Sequence, residues 1–194
     1  MQASLILASG SKARQEQLNS LGISFTVVLP SVDEAALKLT YQKIPPAEQA
    51  VLLAQAKGQA ASEKHPKSWV LAGDQMAVHP DGTVLSKPGN VERALWQLQS
   101  LRGKTHTLYT AACLWKNNAC IWSTLAETHL SMNYLPDEDL RKYLEADQPW
   151  DCCGAYRFEG QGKMLFNTVE GAIDAIVGLP MQAVFEAFQQ YRIL

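Results

Sequence analysis

Ser9, Gly10 and Ser11 follow a short apolar run, and Arg14 comes soon after them. Where a strand gives way to a helix, the first helical N–H groups have no partner. With hydroxyls and a guanidinium beside them they can hold an anion such as a phosphate. The same residues also make an ordinary tight connection with a surface arginine, which is the commoner use of such a turn.

Lys57 sits at helical spacing on a face that also carries Leu53, Ala54, Ala60 and Ala61. An ammonium in an apolar stripe is costly unless an anion meets it. A side chain snorkelling past small alanines accounts for the pattern equally well. Asp74 follows the apolar residues 69–72, at the carboxyl end of an expected strand, where α/β proteins gather ligands; capping a turn after Gly73 is its other use. The adjacent Asp33 and Glu34 offer oxygen ligands to Mg2+ or Mn2+, although acidic pairs in loops are usually just solvated. Lys87 precedes Pro88 and, taken alone, reads as a surface charge. His106 and His129 fall on expected strands without any zinc-binding spacing, so a hard, oxygen-ligated cation is expected rather than zinc. No one of these features decides. Together they supply what phosphoryl chemistry requires, namely cations to neutralise phosphates and carboxylates to handle a water or a metal ion.

The elements that must position these groups follow from apolar periodicity and turn residues. Residues 4–8 read as a buried strand, and 12–21 as a helix capped by Ser11 and stopped by Gly22. Residues 23–29 alternate as a half-buried strand, with Asp33 and Glu34 in the loop beyond it. A long helix is expected over 46–63 and a buried strand over 69–72, broken by Gly73 and Asp74. Residues 76–79 and 83–85 flank hairpin chemistry at Pro80, Asp81 and Gly82, and Asn90 caps a helix that ends at Leu101. Two long strands, 105–115 and 119–132, meet at Asn117 and Asn118; helices over 136–145 and 180–191 bracket a strand at 164–168. This alternation implies an α/β or α+β fold in a single domain spanning 1–194.

The bulk properties limit the partners. With 194 residues and 47% hydrophobic content, the chain can bury a core of its own. A net charge of −2 gives no general field to hold polymeric nucleic acid, so an anionic ligand must be met locally. No leader pattern or membrane-length apolar run stands out, and a soluble, cytoplasmic protein is expected. The four cysteines form no C-x-x-C pair and read as reduced thiols in or near the core.

Several short motifs, in order over nearly the whole chain, resemble the Maf family. They are ASGSKAR at 8–14, VDE at 32–34, LAQAKGQA at 53–60, GDQ at 73–75, SKP at 86–88, GKTHTLYT at 103–110, CGAYRFEG at 153–160 and VGLP at 177–180. The resemblance implies a two-lobed α/β fold with a mixed twisted sheet and a central cleft, related to the inosine triphosphate pyrophosphatases. It also implies hydrolysis of a nucleoside triphosphate to the monophosphate and diphosphate with Mg2+ or Mn2+, and a homodimer. By position, Asp74 would be the general base or water-orienting carboxylate, Glu34 and Asp74 the metal ligands, Lys87 a further catalytic cation and phosphate contact, and Ser9, Arg14 and Lys57 the other triphosphate contacts.

The chain also departs from the family's commonest pattern. Lys12 and Ala13 stand where Pro and Arg are usual, and Arg157, Phe158 and Glu159 where the usual run is Gly, Ile, Gln. In the family, the positions held here by Ala13, Gln75 and Glu159 separate a branch acting on dTTP and UTP from one acting on 7-methyl-GTP, and this chain resembles the latter. A carboxylate at Glu159 can accept from guanine N1–H and its amino group and suits a cationic methylated ring. The alternatives are a dTTP/UTP pyrophosphatase of the same family and a nucleotide-binding regulator of cell division without turnover.

Overall fold

The computed structural model describes residues 4–193. Strand β1 (Leu5–Leu7) lies between β2 (Thr26–Val27) and β3 (Trp69–Val78), parallel to both. Beyond β3 the pairing becomes antiparallel through β5 (Thr105–Lys116), β6 (Ala119–Met132) and β7 (Phe166–Glu170). β4 (Val84–Leu85) pairs with the far end of β3, completing a mixed sheet of seven strands.

The pleat sorts side chains to two faces. Leu5 and Leu7 point to one, where they meet Leu18 of α1 (Lys12–Ser20) and Val184 and Phe188 of α7 (Met181–Gln190). Ile6 and Ala8 point to the other, against Ala50, Leu53 and Ala54 of α3 (Pro46–Lys64), with α2 (Glu34–Tyr41) alongside. A second lobe gathers α4 (Val91–Leu101) and α5 (Asp137–Asp147) around Leu108 and Leu130 at the other end of β5 and β6. Leu7, Leu53 and Leu98 are fully buried, each contributing roughly 2 kcal/mol by leaving water.

One irregularity of the sheet matters most. β1 covers β3 only from Trp69 to Leu71, and β4 covers it only at Ala77 and Val78. Residues 72–76 therefore pair with β5 alone and are open on their other side. Helix α3 crosses behind this opening at close range because of Gly58. A Cβ there would stand 2.4 Å from the Trp115 ring, so any side chain would force the helix off the sheet. A mid-helix glycine is unfavourable by about 1 kcal/mol relative to alanine, and the close packing offsets it.

Several expectations are corrected. β3 does not break at Gly73 and Asp74 but continues to Val78, held by the pairs Gly73↔Ala112 and Asp74↔Ala111. The strand expected over 23–29 shrinks to Thr26–Val27 because the three-residue β1 pairs with it only at Ile6 and Leu7. Asp33 and Glu34 are not in a loop: Asp33 caps α2, accepting from the Ala36 N–H at 3.0 Å, and Glu34 is its first residue. None of the α2 residues is fully buried, and its apolar stripe is limited to Leu37 and Tyr41, which pack half-buried on the core. The last expected strand starts later, at Phe166, after a 3-10 turn over Gln161–Leu165, and α6 (Ile173–Val177) was not foreseen. All four thiols are free, but Cys120 is exposed rather than in the core.

Candidate active site

A cleft of about 890 Å3 lies at the opening in the sheet. Its walls include Ser9, Ala13, Arg14, Glu34, Lys57, Asp74, Gln75, Lys87 and Glu159, but not Asp33, His106 or His129. Elements far apart in sequence bring them together. The β1–α1 connection supplies Ser9, Ala13 and Arg14; α2 supplies Glu34; α3 supplies Lys57; and the uncovered part of β3 supplies Asp74 and Gln75.

Lys57 is at the centre. Its Nζ lies 2.6 Å from Asp74 Oδ1 and 3.0 Å from Glu34 Oε1. Lys57 is 7% exposed and Asp74 6%, so the pair has little water to screen it, whereas the Glu34 side chain is 47% exposed and reaches in from the rim. The snorkelling alternative is thereby excluded, since the ammonium stays inside with two carboxylates. Burial works to raise the Glu34 carboxyl, but the charge and hydrogen bond of Lys57, with Lys38 and Lys87 behind them, hold it below its ordinary value. Asp74 Oδ2 makes no hydrogen bond within the described residues, which leaves it free for a ligand or a water.

Arg14 is built into the wall rather than displayed on a surface. Its Nη1 donates to Gly73 O at 2.8 Å and to Ser9 Oγ at 3.1 Å, and its Nε donates to Gly178 O at 2.9 Å. At Gly73 the guanidinium takes the place of a neighbouring strand. A Cβ on Gly178, whose φ is +136°, would sit 3.1 Å from Arg14 Cγ, which accounts for the glycine in the VGLP run. Burial pulls the guanidinium below its ordinary value, against Asp74 and Glu34, which favour the cation. Three donor contacts are thus committed to the fold, and Nη2 is the part of Arg14 left for a phosphate. Ser9 Oγ also accepts from the Ser11 N–H at 3.2 Å, so its own proton is what it can offer.

Lys87 and Glu159 are exposed on the rim, and Ala13 is half-buried beside Arg14. Sequence reasoning passed over Lys38 and named Lys12, Arg157 and Phe158 only as departures from the family's pattern, although all four line the same cleft. A helical reading of 34–41 would have found Lys38, which is one turn beyond Glu34.

A divalent cation suits this donor set. Glu34 and Asp74 both reach the Lys57 ammonium, so their carboxylates lie close enough together to serve one further cation. Among the described residues no three His, Cys, Asp or Glu side chains converge on one point. The protein would then give two carboxylates, with phosphates and water completing the shell, which is how Mg2+ is commonly held.

Residues 4–191 match the family of Maf-like proteins. The chain belongs to the Maf family. Among its Maf relatives, a "nucleoside triphosphate pyrophosphatase" of Legionella pneumophila (strain Philadelphia 1) is 33% identical, over 100% of this chain and 96% of the relative. A protein of the same description from Gluconobacter oxydans (strain 621H) is 36% identical, over 98% and 96% respectively. A solved HAM1 protein from Coxiella burnetii aligns over 99% of this chain and 100% of its own at 12% identity, with a TM-score of 0.43. No helix among the described residues is long and apolar enough to cross a membrane.

In this Maf protein the wall behind the cleft holds His106, 1% exposed, with Nε2 at 2.7 Å from the hydroxyl of Tyr156, itself a cleft residue. Burial pushes the imidazole down to about 4. An unfolded chain binds that proton near pH 6.5, so between these values the unfolded state holds more protons than the folded one. Stability is therefore full above about pH 6.5 and falls by about 3 kcal/mol as the pH drops towards 4. Urea titrations across this range are expected to show a steeper fall for the native protein than for His106→Gln; parallel curves would refute the assignment.

Proposed function

We propose that this Maf protein hydrolyses nucleoside triphosphates to the monophosphate and diphosphate, acting on an acid anhydride bond. The observation that carries the reading is the Lys57 ammonium held between Asp74 and Glu34 in a cleft that also receives Arg14, Lys38 and Lys87. A triphosphate brings several negative charges and needs that many cations to enter a half-buried site. Names given to relatives across nearly the whole chain support the same activity.

In this mechanism the free Oδ2 of Asp74 accepts a proton from a water that attacks the α-phosphorus. The bond from the α-phosphorus to the oxygen bridging α and β breaks, the monophosphate keeps the water oxygen, and pyrophosphate leaves with the bridging oxygen. Lys57 fixes Asp74 through Oδ1 and keeps its second oxygen aimed into the cleft. Arg14 Nη2, Lys87 and the Ser9 hydroxyl hold charge that builds on the departing phosphates. When bound by Glu34, Asp74 and phosphate oxygens, Mg2+ or Mn2+ would supply further charge neutralisation.

The base is read by Ala13, Gln75 and Glu159. Glu159 offers two acceptor oxygens on the rim, which match the paired donors of guanine, and its charge complements the ring of 7-methyl-GTP. Small Ala13 leaves room in the same cleft. Phe158 presents an apolar ring next to the same rim.

Asp74→Asn is expected to lower pyrophosphate release by about a thousandfold with an unchanged circular dichroism spectrum; a rate within a few-fold of normal would remove Asp74 from its role. Glu159→Gln is expected to cut the kcat/KM ratio of 7-methyl-GTP to UTP by about tenfold. If that ratio does not move, the base-reading role does not belong to Glu159.

A further inference from the structure

Thr110 closes the GKTHTLYT motif and takes no part in the mechanism. It is 1% exposed on β5 and stands directly opposite Gln75 of β3 in the sheet register. Its hydroxyl donates to Ala175 O of α6 at 3.0 Å. Having given its only proton to that carbonyl, the oxygen can serve Gln75 only as an acceptor. Gln75 Nε2 lies 2.9 Å from it, and 3.0 and 3.1 Å from the carbonyls of Ala175 and Ile176.

The Gln75 amide is therefore ringed at one end by three acceptors. Only one orientation satisfies them, with the nitrogen turned towards α6 and Oε1 turned away from it. Flipping the amide would set its oxygen against two carbonyl oxygens and an acceptor hydroxyl, leaving buried groups unmet. Gln75 lines the cleft, and Oε1 makes no hydrogen bond within the described residues.

We propose that Thr110 is a positioning residue for substrate choice: by holding the Ala175 carbonyl and accepting from Gln75 itself, it completes the lock that turns an oxygen acceptor, never an N–H donor, into the cleft. A locked acceptor favours a base whose edge presents N–H groups and rejects one that presents a carbonyl or a bare ring nitrogen at the same point. In the cleft it adds a third acceptor to the two oxygens of Glu159, and guanine, with one imide N–H and a two-hydrogen amino group, has donors for more of them than uracil with its single imide N–H. The inference rests on the base-reading role given to Gln75 above.

Thr110→Val keeps the shape and removes both hydrogen bonds, and Thr110→Ala serves if the valine variant does not fold. Either is expected to raise KM for 7-methyl-GTP about tenfold at nearly constant kcat, with a much smaller change for UTP, and Thr110→Ser should restore the native preference. A merely structural role would impair both substrates alike. Gln75→Leu, measured in parallel, separates the two levels of the argument. If it shifts the preference while Thr110→Val and Thr110→Ala do not, the lock is wrong and the base-reading role of Gln75 stands. If none of them shifts it, Gln75 does not read the base and the lock falls with that reading, while pyrophosphate release by the native protein still reports on the hydrolase itself.

Discussion

An ammonium group buried beneath a sheet needs anions within hydrogen-bonding distance, and in this protein Lys57 finds two. Asp74 meets it from the open part of β3 and Glu34 from the first turn of α2. The rest of the site depends on that junction. It draws α2 over the cleft, holds one oxygen of Asp74 and so orients the other. It also leaves a local balance of charge that a polyanionic ligand, bringing its own counter-ions, can enter. Removing one member of a buried pair strands the other, at a cost of about 3–5 kcal/mol, so the same contact serves both the fold and the chemistry.

The opening in the sheet creates the junction. A fully covered strand would place Asp74 and Gln75 beneath neighbouring strands. Because β1 stops at Leu7 and β4 begins only opposite Val78, residues 72–76 face a cleft on one edge while β5 keeps them straight on the other. Successive side chains of a strand point to opposite faces, so Asp74 meets α3 and Gln75 meets α6. Arg14 closes the exposed ladder at Gly73 and ties it to Gly178 beyond α6. One short stretch thus aims Asp74 and Gln75 at the same hollow from its two sides.

Much of this was legible in the sequence because it is local. The β1 run, the Ser11 and Asn90 caps, the proline that opens α3 and the Asn117–Asn118 turn are each determined within a few residues. Ordered motifs then pointed to the side chains that the cleft collects. What escaped was set by partners distant in the chain. Gly73 and Asp74 look like a strand end, and only the pairing with Ala112 and Ala111 shows that they are not. Helix α2 has no fully buried residue, resting on the core through the half-buried Leu37 and Tyr41 and meeting Lys57 through Glu34, and Lys38 was missed along with it. Arg14 read either as a phosphate contact or as a surface arginine; three of its hydrogen bonds go to the fold, which rules out the surface reading. No spacing rule reveals bonds to carbonyls at 73 and 178.

The central claim is that Lys57 and Asp74 act as one buried unit. A double-mutant cycle of unfolding free energies, built from Lys57→Met, Asp74→Asn and the two combined, measures it most directly. A coupling above about 1 kcal/mol is predicted, because the second substitution removes a group already left without its partner. Effects that simply add, within about 0.5 kcal/mol, would contradict the account.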